Sequence, residues 1–231
     1  MPWRSKARLP RDAYLSADWQ ATEQARLFTT GWVFAAVESD LPEAGDFLSV
    51  HSGGYPLVVV RQAAGGLAAF HNLCRHRGTL LVEGRGNCRR GLTCPYHFWH
   101  YDTAGRLTGV PHQRQCFPSL NKAALGLKPA AVGLFQGLVF LNPDPSADFD
   151  AWIGPVADAP WPHRPDWPDL SPCAELRYEL KCNWKVFVEN ALDGYHLSLL
   201  HRDSLGGPAP ADNLWEPLGD HQAWHALDEN R

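Results

Sequence analysis

The chain has 231 residues, of which 45% are hydrophobic and 20% charged, with a formal net charge of −4. That is enough chain to bury one full domain and part of another, and the absence of a basic run removes the electrostatic footprint of a nucleic-acid binder. No apolar stretch reaches the length of a membrane span, the N-terminus has no apolar signal core, and six cysteines without a secretory context read as thiols or metal ligands. A cytoplasmic protein doing small-molecule chemistry is expected, with neither nucleic acid nor membrane as partner.

In chain order, Ser16 is placed to cap a helix carrying Trp19, Glu23, Leu27 and Phe28, and an apolar run over residues 33–37 follows Gly31 and Trp32. Residues 1–40 are read as an N-terminal helical segment. Over residues 41–145 the pattern changes to short β runs between turn signals, at 47–50, 57–60, 67–70 and 137–141. Asn142-Pro-Asp-Pro closes this region, and the stretch to Pro172 reads as a connector packed by its tryptophans. A strand at 175–180 and then a helix are expected in the last region, 146–231.

Two pairs of metal-ligand residues stand inside the β-rich region, Cys74-x-His76 and Cys94-x-x-His97. Thiolate and imidazole are protein ligands for iron, and a mixed set suits a [2Fe-2S] cluster in which one iron carries both imidazoles. Neutral histidines leave such a cluster less negative than four thiolates would, so its reduction potential is higher. Each pair sits where the chain turns. The run 67–73 delivers Cys74, and Arg77-Gly78 turns the backbone. Pro95 stiffens the second loop, residues 98–101 read as a strand, and Asp102 to Gly105 as a hairpin turn with Gly105 at φ > 0. Two hairpin tips pinching a cluster is the implied geometry.

Zinc is the alternative occupant of a Cys2His2 set, although classical zinc spacings pair Cys with Cys and His with His. Cys88, Cys116, Cys173 and Cys182 read as structural thiols. His51, His71, His100, His112, His163, His221 and His225 have no partner at ligand spacing and read as surface or hydrogen-bonded residues.

From Asn183 to His201, apolar residues at Trp184, Phe187, Val188, Ala191, Leu192, Tyr195 and Leu199 form a helical stripe. Asp193 and His196 are neighbours on that surface. At about 100° per residue, His201 points about 140° away from His196. The two imidazoles share a site only if the helix ends, or holds a π-type turn, between Leu197 and Leu200, with Gly194 loosening the segment.

The strings CRHRGTLL (74–81) and CPYHFWHYDTAGRL (94–107) resemble the Rieske cluster motif in the version found in Rieske non-heme iron oxygenases, and DGYHLSLLH (193–201) is similar to that family's mononuclear-iron motif. Thr79 and Tyr96 stand where respiratory Rieske proteins carry two disulfide-forming cysteines, which favours the oxygenase or ferredoxin type. Phe98 departs from the glycine that is commoner after the last ligand. The resemblance implies an α+β chain. A mostly β Rieske domain, an antiparallel sandwich with two cluster-binding hairpin loops, occupies 41–145, and a helix-grip-type α+β catalytic domain begins within 146–231.

By the same resemblance Cys74, His76, Cys94 and His97 bind the [2Fe-2S] cluster, and His196 and His201 bind a mononuclear Fe(II). Asp193 is the catalytic carboxylate, hydrogen-bonding a ligand histidine and linking it to the cluster of a neighbouring subunit. The implied partners are a reductase or ferredoxin electron donor drawing on NAD(P)H, O2, and a small organic substrate. The full-length form is expected to be a homotrimer. The implied reaction is O2-dependent hydroxylation or oxidative demethylation, with an aromatic ring the commoner substrate and quaternary ammonium compounds the competitor.

The family's third iron ligand is a carboxylate far downstream, and none of Asp203, Asp212, Glu216, Asp220 and Asp228 occupies its position. The expectation is therefore a truncated catalytic domain, in a shortened gene product or a fragment of a longer α subunit, that does not turn over alone and leaves an apolar helix face exposed. A second reading is a Rieske ferredoxin-like electron carrier without oxygenase activity. Substrate-dependent O2 uptake separates the two.

Overall fold

The run Leu57-Val58-Val59-Val60, apolar and β-branched without alternation, has the pattern of a strand covered on both faces, and that is its place in the computed structural model, where all four residues are fully buried. The structure describes residues 9–159, 173–174, 176, 178–193, 196–201, 203–204 and 212–227. They fall into two compact units. The larger is centred on Ala21–Asp150, and the smaller gathers described residues of the N-terminal segment up to Gln20, of the stretch from Ala151, and of the segment from Leu176.

The strands of the larger unit are β1 (Val33–Val37), β2 (Asp46–Ser52), β3 (Tyr55–Arg61), β4 (Leu67–His71), β5 (Arg85–Asn87), β6 (Leu92–Thr93), β7 (His100–Tyr101), β8 (Leu107–Gly109), β9 (Pro129–Phe135) and β10 (Leu138–Asn142). An antiparallel seven-stranded sheet has the order β1-β10-β9-β4-β3-β2-β5, and β6-β7-β8 form a second, three-stranded sheet. Leu57 and Val59 face one core with Ala36, Ala69, Val139 and Leu141. Val58 and Val60 face another with Phe70, Leu92, Trp99, Tyr101 and Leu107, and Cys74 and Cys94 belong to this second core. Each fully buried valine or leucine contributes roughly 1.5–3 kcal/mol, so β3 ties both cores together.

Several strands arise where none was expected from sequence, β1 and β9 among them. The run 33–37 joins the sheet edge as β1, paired with β10. Strand β9 contains Ala130, Ala131 and Gly133, poor strand formers. A Cβ on Gly133 would lie 2.2 Å from the ring of Phe149, so close packing and not propensity sets that position.

At the N-terminus, α1 (Asp12–Leu15) leads to Ser16, whose extended backbone (φ −82°, ψ 131°) and side chain cap α2 (Ala17–Glu23), with Trp19 N donating to Ser16 Oγ at 3.4 Å. The helix widens into a π-turn at Gln24–Phe28, where Thr29 N donates to Gln24 O at 3.1 Å. Further on come α3 (Gln113–Cys116) and α4 (Phe149–Ala157); α4 lies within the stretch read as an irregular connector.

The remaining elements are α5 (Trp184–Leu192), α6 (Leu197–Leu200) and the hairpin β11 (Asp212–Leu218) with β12 (His221–Leu227). Of the strand expected at 175–180, residues 175 and 177 lie outside the described residues, and Leu176 and residues 178–180 are not in a strand. Within the smaller unit the N-terminal segment holds α5. Tyr14 OH donates to Glu189 Oε1 (2.5 Å), Asn183 Nδ2 donates to Tyr14 O (3.1 Å), and the buried Lys185 ammonium stands 5.5 Å from the Tyr14 ring. On α5, Val186 and Phe187 are exposed. Among the described residues no helix is long and apolar enough to cross a membrane.

Candidate metal centres

The two loops that carry the Cys-His pairs are built on one hydrogen-bond plan. In the first, bracketed by a bridge between Leu73 and Leu80, Cys74 N donates to Thr79 O (2.8 Å) and Gly78 N donates to Cys74 O (2.9 Å). In the second, Cys94 N donates to Trp99 O (2.9 Å) and Phe98 N donates to Cys94 O (3.0 Å). The fifth residue of each loop is left-handed, Gly78 at φ 70° and Phe98 at φ 58°. Glycine takes that conformation freely, whereas a side-chain-bearing residue is strained there by about 1–2 kcal/mol. Residues 98–101 are therefore not the strand their aromatic sequence suggests. Only β7 is, and Phe98 belongs to the loop. The turn at Asp102 forms as expected, with Gly105 N donating to Asp102 O (2.9 Å) and Gly105 at φ 76°.

This scaffold brings the four side chains together. Cys74 and Cys94 are 3% and 1% exposed and not joined in a disulfide, while His76 and His97 are only half-buried. The two imidazole centroids are 4.5 Å apart, and His76 stacks on Trp99 at 4.9 Å and 8°. Phe117, just after α3, packs edge-on against both His76 and Trp99.

Tyr101 OH, fully buried, accepts from Arg75 N at 3.0 Å and hydrogen-bonds Cys74 Sγ at 3.4 Å. Burial pushes the Cys74 thiol above its ordinary range, against the opposing pull of Tyr101. Burial first, then the neighbouring His97 and Arg77, lowers His76, which keeps it neutral. His76 Nδ1 is buried without a hydrogen-bond partner. An orphaned ring nitrogen costs roughly 1–3 kcal/mol, and a metal ion bonded to it removes that cost. Two thiols and two imidazoles suit the donor set of a cluster with one histidine-ligated iron.

Among the described residues no three His, Cys, Asp or Glu side chains form a group for a single ion. A two-iron cluster needs only two protein ligands on each iron. Cys88 is buried in the same core and its thiol is pushed up to about 11, chiefly by burial.

Around the second motif, Lys185 N donates to Asn183 Oδ1 (3.1 Å) to start α5, which stops at Leu192. Asp193 is extended (φ −82°, ψ 90°) and its N–H donates back to Glu189 O (3.0 Å). The chain is helical again over α6, flanked by His196 and His201 as its two caps. The break thus lies ahead of His196, and residues 197–200, where it was expected, are helical. An aspartate followed by glycine is a sequence that ends a helix.

Although the turn between the two histidines is helical, their ring centroids are 5.2 Å apart, so the reach of the side chains and not a break in the helix brings the rings together. Asp193 Oδ2 lies 3.3 Å from His196 Nδ1, and Ser204 Oγ is hydrogen-bonded to His201 Nδ1 at 3.1 Å. Both Nδ1 atoms are engaged, which leaves both Nε2 atoms for a metal. Asp212 and Glu216 lie on β11 and Asp220 in the turn after it, while Asp228 lies outside the described residues.

Four residues expected not to be ligands have other partners. These are His71 with Pro143 O, His100 with Thr93, His112 with Gln115 and His221 with Trp152 O. His163 lies outside the described residues, as does the side chain of His225. The supporting residues Tyr101, Trp99, Phe117 and Ser204 were not singled out from sequence. Of these, Tyr101 carries a legible signal, a tyrosine on the return strand of a ligand loop whose hydroxyl needs a partner when buried.

Residues 31–125 match the family described as Rieske [2Fe-2S] domain, and residues 168–226 match the ring hydroxylating alpha subunit (catalytic domain). The chain belongs to the Rieske oxygenase α-subunit family. It is similar to the biphenyl 2,3-dioxygenase α subunit of Rhodococcus jostii (strain RHA1), with 37% identity over 75% of this chain and 39% of that one. To the anthranilate 1,2-dioxygenase large subunit of Burkholderia cepacia it is 35% identical, over 87% of this chain and 49% of the relative. A solved quaternary ammonium Rieske monooxygenase, described with carnitine oxidation by gut microbiota and inter-subunit electron transfer, shares the fold at TM-score 0.70 and 28% identity, over 81% of this chain and 52% of that one.

The chain therefore spans about half or less of the length of these Rieske oxygenase relatives. The fold is the expected one, a mostly β Rieske domain with a curled antiparallel sheet and accompanying helices, and the match to a [2Fe-2S] domain displaces the zinc alternative.

Proposed function

We propose that Cys74, Cys94, His76 and His97 hold a [2Fe-2S] cluster, that His196 and His201 hold a mononuclear Fe(II), and that the chain forms part of an oxygenase that inserts oxygen from O2 into a small organic substrate. The observation that carries this reading is the pair of matched loops, which set two thiols and two imidazoles together and leave His76 Nδ1 buried without a hydrogen bond. When bound, the cluster supplies one-electron storage and the ferrous ion supplies O2 activation.

The residues divide that work. The two cysteines sit in the core, where water is excluded, while the two histidines stand nearer the surface, where electrons enter and leave. With Cys74 bound as a thiolate, which can only accept, Tyr101 OH would donate to its Sγ and so favour negative charge on that sulfur. Trp99 fixes the plane of His76. Asp193 holds His196 by its Nδ1, which turns Nε2 toward the metal, and carries the proposed link to a neighbouring subunit's cluster.

The proposed partners are a reductase or ferredoxin fed by NAD(P)H, and further copies of the chain in a trimer. The inter-subunit electron transfer described for the quaternary ammonium monooxygenase supports such an assembly. An aromatic substrate is favoured, because the biphenyl and anthranilate relatives are 37% and 35% identical against 28% for that monooxygenase.

The test is anaerobic reconstitution followed by visible and EPR spectroscopy. The unaltered protein should be red-brown, and Cys74→Ser or His97→Ala should abolish the colour. A colourless, iron-free protein, or a variant that keeps the iron-sulfur absorption, overturns the assignment. O2 uptake with reductase and Fe(II), stimulated by biphenyl or anthranilate and not by carnitine, tests the reaction and the substrate class. Uptake with none of the three, in a protein that metal analysis shows to hold mononuclear iron, returns the electron-carrier reading.

A further inference from the structure

Both imidazoles of the second centre are engaged at Nδ1, but by different chemistry. Asp193, ahead of α6, faces His196 with a carboxylate at 3.3 Å. Ser204, just past the motif, faces His201 with a hydroxyl at 3.1 Å. Ser204 N donates back to His201 O (3.1 Å), and Ser204 Oγ donates to the same carbonyl at 3.4 Å. On its other side His201 N donates to Leu197 O (3.2 Å), so the backbone of this ligand is tied to α6 before it and to Ser204 after it.

A hydroxyl carries one proton, and so does a neutral imidazole. With the Ser204 proton directed at His201 O, its oxygen accepts from the ring, so the ring proton stands on Nδ1 and the lone pair on Nε2. The reverse arrangement, a hydroxyl donating to Nδ1, puts the ring proton on Nε2 and closes that atom to a metal. The backbone carbonyl of the ligand itself therefore sets the direction of the bond. Charge separates the two partners. A carboxylate orients a ligand ring and also brings negative charge toward the ion, whereas a hydroxyl orients the ring and brings none.

We propose that Ser204 is a positioning residue of the second metal centre: its hydroxyl takes the Nδ1 proton of His201 and holds the imidazole in the tautomer and orientation that present Nε2 to the ion. The proposal rests on the reading that His196 and His201 bind that ion. Asp193 then supplies His196 with orientation and charge, and Ser204 supplies His201 with orientation alone.

The experiment uses the full chain with its cluster reconstituted and oxidised, and Co(II) as a paramagnetic substitute for Fe(II). Ser204→Ala should weaken Co(II) binding about tenfold, the low end of the usual loss when the partner of a metal-bound histidine is removed, because no charge is lost with the hydroxyl. Ser204→Thr keeps the hydroxyl and should restore the affinity; Ser204 is exposed, so the added methyl meets no core. Proton NMR gives a readout that a general loosening of the fold does not produce. Each metal-bound imidazole contributes a Co(II)-dependent, strongly shifted N–H resonance that exchanges with solvent. At saturating Co(II), Ser204→Ala should speed the exchange of one of these and leave the other unmoved, and Asp193→Ala should act on the other. Unchanged affinity in Ser204→Ala, quickening of both resonances together, or failure of Ser204→Thr to restore binding overturns the proposal. A parent without Co(II)-dependent resonances fails the underlying reading and the proposal with it, whereas a parent that shows both and a Ser204→Ala variant with the same exchange rates fails the positioning role alone.

Discussion

Replacing Tyr101 with phenylalanine removes one oxygen from the centre of the larger unit's second core. In the parent, that oxygen accepts the Arg75 N–H and is hydrogen-bonded to Cys74 Sγ at 3.4 Å, a bond in which a cluster-bound thiolate would be the acceptor. A hydrogen bond to an ionised acceptor contributes about 1.5–3 kcal/mol and one to a neutral acceptor about 0.5–1.5. Adding an electron to the cluster increases the negative charge on its sulfurs, so the bond strengthens on reduction by about 1 kcal/mol, the difference between those ranges. At 59 mV for each 1.4 kcal/mol in a one-electron couple, Tyr101→Phe should lower the reduction potential by about 40 mV. The ring itself remains and fills the same space, so the red-brown spectrum should persist. Spectroelectrochemical titration of parent and variant reads the shift. A potential that is unchanged or raised, in a variant with intact absorption, refutes the idea that this hydroxyl donates to the ligand sulfur.

Three further outcomes are expected. His196→Ala should remove mononuclear iron, measured by metal analysis, and leave the visible spectrum unchanged; loss of the cluster in that variant means the two centres are misassigned. Phe98→Gly relieves about 1–2 kcal/mol of left-handed strain and gives back about 0.5–1 through the flexibility of the unfolded chain. The net gain of about 0.5–1 kcal/mol should raise Tm by roughly 2 °C in a melting experiment. Cys88 keeps its proton in the folded state up to about pH 11, while the unfolded thiol loses it near pH 9. Its contribution to stability is whole below pH 9 and is lost as pH rises toward 11. Cys88→Ala should therefore flatten the alkaline decline of denaturant-unfolding midpoints, and an unchanged slope sinks that account.

The four residues proposed to hold the cluster could be picked out because their chemistry is local. Cys-x-His and Cys-x-x-His each span a single loop, and a loop's ends are announced by Gly78, Pro95 and Gly105. The continuous run at 57–60 identified a strand, and its lack of alternation follows from the two cores it separates. What escaped the sequence was decided by distant contacts. Gly133 weakens β9 as a local pattern, yet it makes room for the Phe149 ring. Phe98 favours a strand by type, yet the bonds of its loop hold it left-handed. Leu197 to Leu200 continue a helical stripe, so nothing in their periodicity announces that Asp193 interrupts the helix before them. Tyr101 is visible as a strand residue, but its contact with Cys74 crosses between loops and has no signature in spacing.

The ring of Trp99, from the second loop, lies flat under His76, from the first. Neither loop therefore reaches its final shape alone, and the sulfurs below them are sealed while the imidazoles above are partly open. A group held by all four side chains would therefore bridge two loops that the stacked rings already join.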